Sequence, residues 1–297
     1  MGVKESEIAA FDAADPLAIV SAQVRWVIGD LHGMLGPLET LLDAIRREDR
    51  APTLFFVGDF VNRGAEVRRT IDLLLALDNA RFIRGNHDDI FDLVLHGRCY
   101  ADNATEGNRL VAFQWFMDHG MDDTFASYGA QREELRELAQ NPSMDRLLEL
   151  VQVVPESHRQ FIRGLPALIE ESDMFVVHGK WGVSDPSELP SLGVQLATRA
   201  SLRHRILWGR YTSAEVTAPK TWERVGYFGH TPVTHYIDAK RPDDLVPVRT
   251  HQMVLVDTAA ALYAAGRLTA YCADAHYYVQ ADRYGHAYRS NGRREDK

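Results

Sequence analysis

Along residues 24–83 short apolar runs alternate with longer amphipathic stretches. Residues 24–28 (VRWVI) are a brief apolar run that stops at Gly29-Asp30, and they predict a strand. Residues 35–47 place apolar side chains at 35, 38, 41, 42 and 45, a helical period, with Pro37 in the first turn where proline is tolerated. Residues 54–57 predict a second strand, 66–77 a helix with Val67, Ile71, Leu74 and Leu75 on one face, and 81–83 a third strand. Strand and helix in alternation imply right-handed crossovers and parallel pairing.

The pattern then changes. Residues 89–165 are mostly helical in period, with apolar stripes in 90–95, 110–117, 135–138, 144–150 and 158–165. They read as a helical insertion capping the site, able also to pack over a sheet face. Residues 167–171 and 174–177 predict a hairpin turning at Ser172-Asp173. Residues 182–220, with Pro186, Pro190 and Pro219, read as irregular. The last third predicts strands at 225–228, 235–237, 253–256, 260–264 and 268–271, with Ala265-Gly266 turning the final pair. The expected organisation is a loose leader (1–22), a single domain (23–284) and a frayed polar tail (285–297).

Composition narrows the class. The 297 residues, 45% hydrophobic and 25% charged, suit a soluble globular protein with a sizeable core. A net charge of −9 argues against non-specific nucleic-acid binding, which needs clustered Lys and Arg. Cys99 and Cys272 alone make no disulfide framework. The N-terminus lacks a secretory pattern, and no apolar run reaches the ~18 residues of a membrane span. A cytoplasmic location without a membrane partner is expected, and oligomeric state is left open.

Five polar motifs each follow an apolar run: GDLHG (29–33), GDFVNRG (58–64), RGNHD (84–88), VHG (177–179) and FGHT (228–231). Asp, His and Asn are costly to bury unless paired or bound to a cation. Asp30 and His32 lie two apart and share a face of an extended segment, so they can clamp one cation. The Asp59 carboxylate can bridge two cations. Asn86, His178 and His230 would complete a second site. Two divalent cations outweigh two carboxylates, so such a centre stays electropositive and favours a phosphate anion.

These blocks resemble the signatures of the metallophosphoesterase superfamily, and within it the phosphoprotein phosphatase branch of small bacterial and phage enzymes. The resemblance runs over residues 24–271 and includes weaker blocks at 118–129, 161–166 and 206–210. It implies an α/β calcineurin-like fold, with two mixed β-sheets packed as a sandwich between helices. It implies two divalent metal ions, commonly Mn²⁺ with Fe or Zn in some members. Asp30, His32 and Asp59 would hold the first, and Asp59, Asn86, His178 and His230 the second. The expected reaction is in-line attack on phosphorus by a metal-bridging hydroxide. Arg63 and Arg210 would neutralise phosphoryl oxygens, and His87 would protonate the leaving group, an aid typically worth about 10²–10⁴-fold.

The chain departs from the resemblance at Asn62, where the family usually has an Asp paired with the histidine at 87. An Asn carbonyl can orient that imidazole but cannot stabilise imidazolium, so a weaker acid is expected. Leaving groups that need little protonation tolerate this best. Lys180 is a second departure, where a small residue is usual; a solvated loop lysine is expected, and Trp181 and Trp208 are expected to pack. The leading expectation is a phosphatase of phosphomonoesters, with phosphoprotein as substrate. The alternative is a dinucleoside polyphosphate hydrolase acting on a nucleotide, and a minor one is a low-turnover phosphate sensor.

Overall fold

Alternation of side chains along short strands sorts the apolar residues into layers. The computed structural model describes residues 24–101, 107–181 and 200–290. Strand β1 (Arg25–Ile28) sends Trp26 and Ile28 to one face and Val27 to the other; β2 (Thr53–Phe56) divides Leu54 and Phe56 from Phe55. β1, β2 and β3 (Ala80–Phe82) pair in parallel, with Val27 opposite Phe55 and Phe55 opposite Arg81. Helices α1 (Leu35–Glu48) and α2 (Val67–Leu75) make the crossovers, as the sequence predicts.

Two sheets result. The first runs β11 (Ala287–Ser290), β10 (Tyr278–Ala281), β9 (Leu268–Cys272), β1, β2, β3, and the second runs β4-β5-β6-β8-β7. The second is built from the hairpin β4 (Leu168–Glu170) and β5 (Met174–Val177), then β6 (Val225–Phe228), β7 (Val248–Arg249) and β8 (Met253–Leu255). Val27, Phe55, Val57 and Ile83 of the first sheet meet Met174, Val176, Tyr227 and Val254 of the second in one buried layer. Enclosing a ring such as Phe55 there contributes about 1.5–3 kcal/mol. The chain is therefore the expected α/β sandwich of two mixed sheets with helices outside.

The helical region comprises α3 (Asn86–His96), α4 (Gly107–Phe116), a π-turn (Met117–Met121), α5 (Asp122–Ser127), α6 (Arg132–Gln140), α7 (Met144–Val151) and α8 (Glu156–Gly164). Its apolar faces join Trp26, Ile28 and Phe56 in the core on the outer face of the first sheet. The π-turn also reaches the site. Gly120, at φ +88°, lies so close that a Cβ on it would sit 2.1 Å from the Arg63 nitrogen.

Several expectations fail. Residues 182–199 lie outside the described residues, but 200–220 contain helices α9 (Ala200–Trp208) and α10 (Ser213–Thr217). The signal for α10 was present, because Thr212 and Glu215 form a capping box. No strand forms at 235–237: Pro232 sets up a 3-10 turn (Val233–His235) in which the Pro232 carbonyl accepts from His235 and the Val233 carbonyl from Tyr236 and Ile237. Residues 260–264 are a turn. β9 (Leu268–Cys272) pairs instead with β1 and with β10 (Tyr278–Ala281), so non-local pairing overrides the local hairpin. The expected polar tail from 285 enters an edge strand, β11 (Ala287–Ser290), paired with β10. Its alternation is polar, so no apolar run marked it. Residues 1–23 and 291–297 lie outside the described residues.

Candidate functional site

The five motifs meet at the carboxyl ends of parallel strands. Asp30 and His32 follow β1; Asp59, Asn62 and Arg63 follow β2; Asn86 and His87 open α3 just after β3. His178 follows β5, and His230 follows β6, its parallel neighbour. All of these are buried except Arg63, which is half-buried. Arg210 is exposed and donates to the His230 carbonyl at 3.4 Å and to Thr231 Oγ1 at 3.2 Å, which puts it at the rim.

Asp59 sits at the middle. Its Oδ1 is 3.3 Å from His178 Nε2, and its Oδ2 is 3.5 Å from His32 Nε2. Asn86 Oδ1 lies 3.0 Å from His178 Nε2 and 2.8 Å from His230 Nδ1. Asp30 joins the His230 segment by accepting the His230 N–H at 3.0 Å. Two three-residue groups have ligand atoms within 4.8 Å of one another: His32, Asp59 and His87, and Asp30, Asp59 and His178. They share Asp59, as the sequence suggested. They cross the expected partition, because His87 falls beside His32 and Asp30 beside His178.

The donor chemistry fits cations. His32 Nδ1 and His178 Nδ1 donate to the carbonyls of Val61 (2.8 Å) and Val57 (2.7 Å), and His230 Nε2 to that of Trp208 (3.2 Å). Each ring is thus oriented by a backbone carbonyl and turns its other nitrogen toward the cluster, the arrangement of a metal-ligating histidine. Burial, then Arg63, lowers His32 to about 3, and burial, then His178, holds His230 well below its usual value. The inward Nδ1 of His230 is therefore a bare lone pair facing Asn86 Oδ1 at 2.8 Å, an unfavourable arrangement that a cation relieves. Burial, then Asp257, raises Asp30 well above the carboxylate range. Burial would raise Asp59 too, but His178 and His87 outweigh it and hold it well below. His178 in turn rises to about 9, the Asp59 carboxylate overriding burial.

The backbone here is held in an unusual state. His32, Asp59, Asn62, Arg63 and His230 all have φ between 46° and 72°, the left-handed region that L-residues avoid. Such residues cost on the order of 1–2 kcal/mol each and persist only where the surroundings over-determine them. Asp88 is one such constraint. Its carboxylate accepts from the nitrogens of Asp59 (2.8 Å), Phe60 (2.9 Å) and Gly85 (2.9 Å), tying the end of β2 to the start of α3. Gly85 is another, because the Asp59 carboxylate occupies the space where a side chain would project.

Asn62 touches His87 as expected, but through the other end of its amide. Its Nδ2 is 2.8 Å from His87 Nδ1, while its Oδ1 accepts from Thr124 Oγ1 at 2.8 Å. Thr124 Oγ1 already accepts the Asn62 backbone N–H at 2.8 Å, which leaves its hydrogen for Oδ1 and fixes the amide. Arg63 Nη2 approaches His87 Nε2 at 3.2 Å, and Nη1 approaches His32 Nε2 at 2.5 Å. A neutral imidazole has one acceptor nitrogen, so His87 can accept from Asn62 or Arg63 but not both. The longer Arg63 contact is the one free to yield to a phosphoryl oxygen.

Two other side chains resolve. Lys180 is tied to Glu215 at 2.5 Å and lies over the Tyr211 ring, so it is held away from the cluster. Trp181 packs on Phe175 at 4.8 Å. Sequence reasoning missed Arg84, in the RGNHD motif itself. Its buried guanidinium pairs with Asp89 and Asp92 and donates to the Leu165, Ile162 and Arg163 carbonyls, fastening the end of α8 beneath the site. It also missed Thr124, which the 118–129 block contained without an assigned role.

A sandwich that gathers Asp, His and Asn ligand types from five strand ends defines a metal-dependent hydrolase of phosphate esters. The family model described as calcineurin-like phosphoesterase matches residues 25–234, and the chain belongs to that family. The family implies a binuclear divalent metal centre. The symmetrical bis(5′-nucleosyl)-tetraphosphatase of Marinomonas sp. (strain MWYL1) is 42% identical over 73 residues, 24% of this chain and 26% of that protein. The enzyme of the same name from Xylella fastidiosa (strain 9a5c) is 41% identical over 64 residues, 21% and 22% of the two chains. The chain thus matches only about a quarter of the length of these relatives. A solved structure provisionally described as a diadenosine tetraphosphatase is 19% identical, covers 93% of this chain and 96% of its own, and superposes with a TM-score of 0.49. Among the described residues, no helix is long and apolar enough to cross a membrane.

Proposed function

We propose that this chain hydrolyses a phosphoanhydride bond in a dinucleoside polyphosphate. The observation that carries this reading is the Asn62–His87 pair. His87 Nδ1 meets an amide nitrogen where a carboxylate would stabilise imidazolium, and burial, the largest cause, also holds the ring well below its usual value, so its protonated form, the one able to hand a proton to a leaving group, is scarce at neutral pH. A leaving nucleotide departs on a phosphate oxygen and needs little protonation. The alkoxide leaving a phosphoserine needs much more. The short matches to tetraphosphatases of this name support the same side. They make the nucleotide a better reading than the phosphoprotein expected from the resemblance.

Asp30, His32, Asp59, Asn86, His178 and His230 would together hold two divalent cations, with Asp59 common to both sets of ligands. When bound, the pair supplies Lewis-acid charge and lowers the pKa of water so that it can attack at neutral pH. The chain's own groups do the remainder. Arg63, beside both His32 and His87, turns its planar fork to two oxygens of the attacked phosphoryl group. Arg210 at the rim neutralises the outer phosphates. Asn62 and Thr124 keep the His87 ring in place, with Nε2 toward the departing oxygen.

The test is a panel of diadenosine tetraphosphate, a phosphoserine peptide and an aryl phosphate, run on protein whose bound metals are measured. The expected kcat/KM for diadenosine tetraphosphate exceeds that for the peptide by at least about tenfold, ~1.4 kcal/mol of transition-state preference. Preference for the peptide would restore the phosphoprotein reading. Two tightly bound metals with no turnover of any substrate would favour a phosphate sensor.

A further inference from the structure

We propose that Trp115, backed by Trp208, is a stacking platform for a nucleobase at the rim of the candidate centre. This deepens the nucleotide reading above and rests on it for the identity of the ligand.

The two indoles lie nearly parallel, with centroids 5.8 Å apart and planes at 17°. His204, one helical turn before Trp208 on α9, continues the parallel set at 6.1 Å and 11°. Flat rings in register are a surface onto which another flat ring fits. Trp115 is 54% exposed, and Val111, one turn earlier on α4, is 62% exposed. A single exposed apolar side chain is ordinary and needs no explanation. What distinguishes Trp115 is where it stands.

Its neighbour Phe116 is buried, 5.0 Å from Trp115, 5.1 Å from His87 and 6.2 Å from Trp208. Trp208 is 6.5 Å from His230, and its carbonyl orients that ring. One layer of rings therefore connects the platform to the proposed acid and to a proposed ligand. A phosphate held at the centre would carry its nucleoside toward these rings. The surrounding side chains suit the anionic part of such a ligand. His119 and His204 are exposed beside the indoles, and Arg210 follows Trp208 by two residues. Stacking on an indole is tolerant of base identity, because every base has a π-face. The platform thus favours an adenine or guanine by ring area and makes no distinction by hydrogen bonding.

The test uses the metal-loaded full chain and isothermal titration with AMP and ribose 5-phosphate, in which an anomeric hydroxyl replaces the base. AMP is expected to bind about tenfold or more tightly than ribose 5-phosphate, and Trp115→Ala to remove most of that difference, while Trp115→Phe keeps much of it. Equal affinities in the unaltered protein, or a difference that survives Trp115→Ala, would overturn the platform. In turnover, Trp115→Ala should raise KM for diadenosine tetraphosphate about tenfold more than KM for inorganic tripolyphosphate, with kcat little changed. An equal rise for both substrates counts against base stacking. If the protein cleaves no dinucleotide at all, the proposed function fails, and the AMP comparison still decides the platform. Gel filtration of Trp115→Ala checks the rival that this face joins two copies of the chain: a dimer that dissociates would overturn the nucleobase assignment.

Discussion

Gly85→Ala tests whether Asp59 is locked between the two sheets' strand ends. Gly85 has φ −93° and ψ 176°, extended backbone that alanine adopts without strain. In an open position the change would stabilise by about 0.4–1 kcal/mol through the unfolded chain. Here the new Cβ would lie 2.1 Å from Asp59 Oδ1, 2.4 Å from the Asp59 nitrogen and 2.8 Å from its Cγ. Backbone cannot retreat on that side, because Asp88 holds the nitrogens of both residues. Overpacking of this kind costs about 1–3 kcal/mol. If Asp59 swings away to relieve it, the charge-assisted bond from the His87 nitrogen (3.0 Å) is lost as well, about 1.5–3 kcal/mol more. With both effects the loss is expected to be about 2.5–6 kcal/mol. Metal affinity should weaken by at least the 10–100-fold typical of a disturbed supporting residue. Thermal unfolding with and without excess Mn²⁺, together with metal content after dialysis, reads both effects. Gly36→Ala is the control: nothing lies within 4 Å of its Cβ, and it sits in the first turn of α1. If Gly85→Ala binds two metals as tightly as the unaltered chain and unfolds at the same temperature, the lock on Asp59 is wrong.

Three further outcomes are expected. Asn62→Asp puts a carboxylate 2.8 Å from His87 Nδ1, raises the pKa of that ring and keeps the acid protonated to higher pH; kcat for an alkyl phosphate should rise above about pH 7, and an unchanged or lower kcat at every pH would remove the acid role. Arg84→Met strands two buried carboxylates and three carbonyls and should cost about 3–5 kcal/mol by urea denaturation, whereas a loss below about 1 kcal/mol would show that the network is dispensable. The Lys180 hydrogen bond holds Glu215 down to about 2, so its contribution is complete above the ordinary value of 4.5 and fades as pH falls toward 2; with a side chain 44% exposed this is worth under about 1 kcal/mol, and Glu215→Gln should lose stability at pH 6 but not at pH 2, a pattern that equal losses at both would contradict.

The centre was more legible in sequence than the sheets around it. Asp30, His32, Asp59, Asn86, His87, His178 and His230 each follow a short apolar run, and local pattern locates strand ends well. The pairing of β9 with β1 joins residues some 246 positions apart, Trp26 to Cys272, and no local signal reports it. β11 escaped because an edge strand of Ala-Tyr-Arg-Ser buries little. The left-handed backbone at His32, Asp59 and His230 was also hidden, because glycine is the usual mark of that conformation and these positions carry the proposed ligands instead. Asn62 was visible as a departure, but the direction of its amide depended on Thr124, 62 positions along the chain.

The centre draws Asp30, Asp59 and Asn86 from one sheet's strand ends and His178 and His230 from the other's. A pair of ions there would act as a staple through the sandwich, adding to the apolar seam of Phe55 and Tyr227. Ions present at a hundred times their dissociation constant would add about 2.7 kcal/mol for each site. The chelated protein should therefore loosen first by sliding of one sheet across the other, and a substitution deep in the seam would be felt at the far end as weakened ion capture.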